Sequence, residues 1–305
     1  MRRFLDRYWY AYAMVLPVVV VIAVLVLYPL AQGVFFTFTN INEGNIANPV
    51  LDRAASYDVV GFKNYLNVLS GGDSYGAFWG TLVRTLIWTF ACVFFHYTIG
   101  LGLAMLLNRQ VAGRGLYRVL LILPWAVPAF ISAFAWKYMF NAQYGIINQV
   151  LRAVGLPDPV WLGQSNWALV SVVMVNVWLG TPFMMVALLG GLQSIPGDLY
   201  EAAEMDGATP WQRFRHVTLP GLRSVSSTVI LLGIIWTFNM FPVIYLVAGP
   251  NPNTRILVTY AFERFFSGAS RDYAIASTYG VLILSVLLVF ALVYRRALRK
   301  QGEVW

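Results

Sequence analysis

Few residues of this chain could run a reaction. Cys92 is its single cysteine, and His96, four residues on, is the one side chain within an apolar stretch that could titrate near neutral pH. A lone cysteine excludes an intramolecular disulfide framework and a cysteine metal cluster. There is no glycine-rich phosphate loop ending in Lys and Ser or Thr, no HExxH and no spaced Cys/His set, so the sequence predicts no catalytic residue, metal site or cofactor of its own. His96 reads first as a hydrogen-bonding residue between helices, with a proton relay as the competing reading.

Polar chemistry is concentrated instead between Gln193 and Pro220. Asp198 is placed to cap a short helix, with Glu201 at the third helical position to reach back. Glu201-Ala202-Ala203-Glu204-Met205 favours that helix, Asp206 follows it, and Gly207 stands where a left-handed terminus is needed. Thr209 caps a second helix, with Pro210 at its first position and Gln212 at its third. Pro220 opens the next apolar stretch. The spacing predicts two short helices meeting at a right angle, acidic on one arm and Arg-rich on the other. Such an elbow suits docking to a cytoplasmic partner; an ordinary amphipathic connector is the plain alternative.

The elements that hold these residues follow from where charge is missing. The composition is 59% hydrophobic and 11% charged, with mean hydropathy +0.66, against about 45–50% and about 25% for soluble domains. Six runs contain no Asp, Glu, Lys or Arg over at least 18 residues: 8–42, 85–108, 119–136, 159–197, 224–254 and 273–294. A spanning helix needs about 20 apolar residues, and alternating barrel strands would not give such runs. The sequence predicts an all-α polytopic membrane protein, one transmembrane domain over 1–305. Its six helices fall near 11–38, 78–108, 116–140, 166–192, 221–247 and 273–297. The segments 39–77, 141–165 and 248–272 carry turn signals such as Gly71-Gly72-Asp73 and Gly249-Pro250-Asn251-Pro252. Arg2, Arg3 and Arg7 before an apolar run resemble a signal peptide, but no small-x-small site precedes the polar loop, so a retained first helix is expected. Phe4, Tyr8, Trp9 and Tyr10 suit the membrane interface.

Placing both termini in the cytoplasm puts thirteen of the 21 basic residues and six of the 13 acidic ones inside, a net +7 against +1 outside. The positive-inside bias therefore predicts N-in and C-in, and topology, not nucleic-acid binding, accounts for a pI near 9.6. No Asp, Glu, Lys or Arg falls at the centre of any predicted span, whereas ion-coupled carriers generally need ionisable groups at that depth. If the chain pumps, another subunit supplies the energy.

Glu201-Ala202-Ala203, then Gly207, then Val217-Thr218-Leu219-Pro220 resembles the EAA signature of ABC importer permeases, with Val217 where Ile is commoner. In that family the loop seats in a cleft of the ATPase, which implies a coupling role for Glu201, Ala202, Ala203, Asp206, Gly207, Leu219 and Pro220. Leu120–Ser132, Asn176–Met185 and Ile195–Ala202 are similar to the larger subunit of maltose permeases, in the carbohydrate-uptake group. The resemblance implies a cell-membrane heterodimer with a second permease subunit, two ATPase subunits that bind ATP and Mg, and an extracytoplasmic solute-binding protein. It also implies a sugar-contacting set: Trp125 and Ala129; Asn176, Leu179, Gly180 and Phe183; Gly233, Thr237 and Met240. Within each group the spacing keeps the residues on one helical face. Aromatic faces for CH-rich rings and amide or hydroxyl partners for alcohols are present in Trp125, Phe183, Asn176 and Thr237. Ala129, Gly233 and Met240 stand where the maltose subunit has polar side chains, and Thr237 replaces an amide. The large external insertion of that relative is missing. A di- or oligosaccharide of the maltose or trehalose kind is the expected solute. A non-carbohydrate ABC importer, an ATP-independent channel or carrier, and a membrane enzyme built around His96 are the rival readings.

Overall fold

A computed structural model describes residues 2–47, 50, 52–71, 78–109, 112–163, 166–266 and 271–300, without the side chains of 2–8, 11, 166, 299 and 300. The Gly72-Asp73 turn and the side chains of Arg2, Arg3, Phe4, Arg7, Tyr8, Arg299 and Lys300 lie outside the described residues. Among those described the regular elements are helices, and Thr39 and Val59 form an isolated antiparallel β-bridge. It divides into two units, residues 1–79 with 261–285, and residues 80–260 with 286–305.

In the first unit, α1 (Arg2–Ile22) passes through a π turn (Ala23–Leu27) into α2 (Tyr28–Phe36). No residue in the apolar window of Tyr12–Phe36 is buried by the chain itself. A face that is apolar all round and unburied is what a lipid-bathed helix requires. α3 (Lys63–Ser70) is tied back to the end of α2 by Asn64, whose amide donates to the carbonyls of Thr37 and Thr39 at 2.8 and 2.7 Å.

The second unit holds most of the buried core. α4 (Phe78–Asn108) and α8 (Asn166–Gln193) are its long uninterrupted helices. The others are α5 (Arg114–Ala126), α6 (Ala129–Met139), α7 (Ile146–Ala153), α9 (Gly197–Met205), α10 (Pro210–Arg213), a π turn (Phe214–Thr218), α11 (Leu219–Gly221), α12 (Arg223–Phe238) and α13 (Phe241–Ala248). α14 (Leu257–Phe266) and α15 (Tyr273–Lys300) complete the chain. Two of the expected spans are not single helices. The segment read as 116–140 bends by 92° between α5 and α6, because Pro128 has no N–H to give and forces Val127 into an extended conformation (φ −77°, ψ 132°). The segment read as 221–247 ends as a helix at Phe238 and restarts at Phe241, with Pro242 in the first turn of α13. Among the described residues four helices are long and apolar enough to cross a membrane, or up to six spans if α5 with α6, and the Pro210–Gly221 stretch with α12, each count as one.

Small side chains and polar ties bring the helices together, as expected where no hydrophobic gradient separates protein from lipid. Tyr97 of α4 meets Ser226 of α12 at 2.9 Å, Tyr294 of α15 donates to the Ser227 carbonyl at 2.8 Å, and Thr85 accepts the Leu257 N–H at 3.0 Å.

The elbow at 193–220 is built as anticipated at its centre and differently at its start. α9 begins at Gly197 with Pro196 in the cap position, so Asp198 falls inside the first turn and makes no cap hydrogen bond. The proline fixes the entry two residues early, and the Asp198 carboxylate is left to favour the positive helix end. At the other end Gly207 is left-handed (φ +76°), donating to Glu204, while Ala208 reaches Ala203 at 2.9 Å. That pairing is the two-bond helix terminus for which glycine is suited. Thr209 and Gln212 form the reciprocal capping box. Glu204 pairs with Arg213 at 3.1 Å, and Tyr200 bonds the buried Thr218 hydroxyl at 3.0 Å. The second arm continues through the π turn and α11, then bends by 67° into α12. Thr209→Ala is expected to cost about 1 kcal/mol locally and to speed amide exchange at Gln212 and Arg213 roughly fivefold, measured by hydrogen exchange.

Candidate functional site

Both breaks in the apolar segments face one cavity. Val127 and Pro128, at the junction of α5 and α6, and Met240, between α12 and α13, line a space of about 370 Å³ closed by α4 and α8. All nine residues of the three predicted stripes border it: Trp125 and Ala129; Asn176, Leu179, Gly180 and Phe183; Gly233, Thr237 and Met240. Helical spacing explains why each group shares a face, and the 92° bend explains how Trp125 and Ala129, on different helices, still reach the same space.

The walls are chiefly apolar. Phe183 sits between two tryptophans, its ring centroid 4.9 Å from that of Trp236 and 6.4 Å from that of Trp125. Trp125 and Trp236 keep 58% and 50% of their surface exposed, so two indole faces remain available to a ligand. Polar groups are buried at Asn176, Thr237 and His96. His96 Nε2 lies 2.8 Å from the Asn176 carbonyl; since a carbonyl only accepts, that nitrogen carries the proton. The Asn176 side-chain amide nitrogen has no hydrogen-bond partner among the described residues, and the adjacent Cys92 thiol is at best a weak acceptor. A buried amide without a partner costs free energy unless something enters to accept from it. Thr237 is held through its carbonyl, which receives the Trp88 indole N–H at 2.9 Å.

Among the described residues no carboxylate, Lys or Arg lines the cavity. It can cradle a small neutral solute between aromatic faces with a few polar contacts, and it offers no acid–base pair. The predicted stripes leave out six of its lining residues: His96, Ala126, Val127, Pro128, Met184 and Trp236. Trp236 adjoins Thr237 in sequence and falls beside the predicted stripe. His96 was legible as an interhelical residue, but its place against Gly180 depends on how α4 and α8 pack.

A second candidate surface is the elbow. Glu201, Ala202, Asp206, Gly207 and Pro220 are exposed, Ala203 is half-buried, and Leu219 packs into the core around Met184, Leu188 and Leu222. Leu199, Met205 and Trp211 stay 51%, 88% and 66% exposed among these charges, an apolar patch of the kind a protein partner covers. The sites are joined by α12, which starts near the elbow and ends at the cavity.

Comparison with known proteins places these features. The family described as binding-protein-dependent transport system inner membrane component matches residues 96–300. The trehalose/maltose transport system permease protein of Thermococcus litoralis is 36% identical, over 93% of this chain and 91% of the relative. A maltodextrin transport system permease protein of Bacillus subtilis is 32% identical, over 93% of this chain and 68% of the relative. Among solved structures, a chain of a bacterial alginate ABC transporter, in complex with an alginate pentasaccharide-bound periplasmic protein, superposes with TM-score 0.83 at 22% identity. The match covers 100% of this chain and 99% of that one, and carries the fold. With a family match over two thirds of its length and relatives above 30% identity, this chain belongs to the inner membrane component family of binding-protein-dependent transport systems, the ABC importer permeases.

Proposed function

We propose that the chain is one of two permease subunits of an ATP-driven importer for a di- or oligosaccharide of the maltose or trehalose kind. In this reading it crosses the membrane six times with both termini in the cytoplasm, the bent pair α5–α6 counting as one span and the segment from α12 into α13 as another. The second permease subunit supplies the other half of the path. Two ATPase subunits bind ATP and Mg, and an extracytoplasmic solute-binding protein delivers the sugar. The single observation that carries the reading is the cavity: aromatic faces, a buried unpartnered amide and no charge suit a neutral polyol ring. The solute handled by the named relatives agrees with it.

Energy enters at the elbow. Its capped helices and the Glu204–Arg213 and Tyr200–Thr218 ties make a stiff lever, so movement of an ATPase cleft around α9 is passed to α12 and opens the cavity alternately to each side. Among the described residues no carboxylate, Lys or Arg lines the cavity, and His96 is held to the Asn176 carbonyl, which favours an energy source outside the chain over ion coupling.

In the assembled transporter, Asn176→Ala and Trp125→Ala are each expected to lower sugar uptake roughly tenfold without loss of assembly; wild-type uptake in both would remove the solute-path assignment. Gly207→Asp meets open space, so the complex should assemble. The substitution alters the left-handed turn between the arms, and solute-stimulated ATP hydrolysis should fall; unchanged stimulation would count against the lever. In a Cys92→Ser background, Leu156→Cys should react with a membrane-impermeant thiol reagent from outside and Arg215→Cys only from the cytoplasm. The reverse pattern would invert the topology.

A further inference from the structure

Gly180 and His96 fit each other atom for atom. A Cβ on Gly180 would overlap Nε2, Cε1 and Cδ2 of the imidazole. The ring is rigid and buried, unlike the mobile Met184 methyl that lies over Gly233, so it has little room to yield. Its Nε2–H is committed to the Asn176 carbonyl, four residues before Gly180 and thus one turn away on the same face of α8. Asn176 is also the residue whose buried side-chain amide lacks a partner and borders the cavity. Two residues after Gly180, Pro182 removes the N–H that would bond the Trp178 carbonyl, so α8 is short of its own hydrogen bonds here.

We infer that His96 is a positioning residue for solute passage: it clamps α8 at the Asn176 carbonyl and so fixes the Asn176 amide at the cavity wall, and Gly180 is glycine to admit that clamp. This rests on the reading of the cavity as the solute path. It differs from a role for Gly180 as a direct backbone contact to the solute. A contact residue would act independently of His96; a residue that only makes room for the imidazole loses its reason when the imidazole goes.

The test uses the assembled transporter in proteoliposomes, with radiolabelled trehalose and maltose as probes and assembly yield and thermal midpoint followed for every variant. Gly180→Ala is expected to lower uptake roughly tenfold or more, and His96→Ala roughly fivefold. The double variant should fall no lower than His96→Ala alone; a loss equal to the product of the two would overturn the inference. In an Asn176→Ala background, His96→Ala should cost nothing further, since it acts through Asn176; an added loss would also overturn it. His96→Gln keeps an N–H for the carbonyl and should hold uptake within about twofold of the parent, whereas uptake as low as His96→Ala would refute the clamp. If His96→Ala fails to assemble, His96→Gln with Gly180→Ala reads the same coupling, because a flexible amide can move off the added methyl. Uptake should then exceed that of Gly180→Ala alone, and no gain would overturn the proposal. No effect of Asn176→Ala and Trp125→Ala would instead remove the solute path itself, a separate outcome.

Discussion

Hydrocarbon offers no partner to a backbone amide or carbonyl, so a membrane chain can interrupt a helix only where protein or a cavity takes over the hydrogen bonding. Both interruptions in the apolar segments of the second unit obey that constraint. At the end of α12, the Thr237 carbonyl is taken by the Trp88 indole and the Ile235 carbonyl by the Asn239 side chain. Between α5 and α6, Pro128 removes a donor and turns the chain by 92° toward open space. The cavity lies where the helices break, and the side chains beside the breaks become its walls.

The same constraint explains why α4 and α8 approach so closely. α8 carries Pro182 within a long helix and is supported from outside by the His96 contact to its backbone. Close approach needs a residue without a side chain at Gly180, and the contact leaves the Asn176 amide at the cavity edge. Packing, backbone satisfaction and the polar character of the site are therefore one arrangement. The elbow stands apart in chemistry: it is solvated, capped and charged, and it is joined to the cavity by α8, which ends where the elbow begins, and by α12.

Much of this was readable in advance because it depends on local periodicity. The Asn176, Leu179, Gly180 and Phe183 group, named from the family resemblance, follows the repeat of one helix, whereas Trp125 and Ala129 stand on helices bent by 92° and Met240 lies beyond the end of α12; the Thr209 box and the left-handed Gly207 follow from short-range hydrogen-bond rules. What was misread was local competition and long-range contact. Asp198 lost the cap to Pro196 because a proline two positions earlier sets the entry of α9. Pro128 and Pro242 mark interruptions in the spans at 116–140 and 221–247, but apolar composition does not set the angle or direction of a bend. Trp236 and His96 were left out of the cavity because their places depend on neighbours 53 or more positions away in the chain, as with Trp236 against Phe183 and His96 against Asn176.

By itself the sequence determined that this is a helical membrane protein with long uncharged apolar runs and a capped polar elbow, since hydropathy, charge and capping act over one helix at a time. Only the tertiary structure decided that the breaks converge on a cavity, that the Asn176 amide is buried without a partner among the described residues, and that the His96 ring lies against Gly180. These are properties of surfaces brought together from separate helices, and burial and steric fit exist only once those surfaces meet.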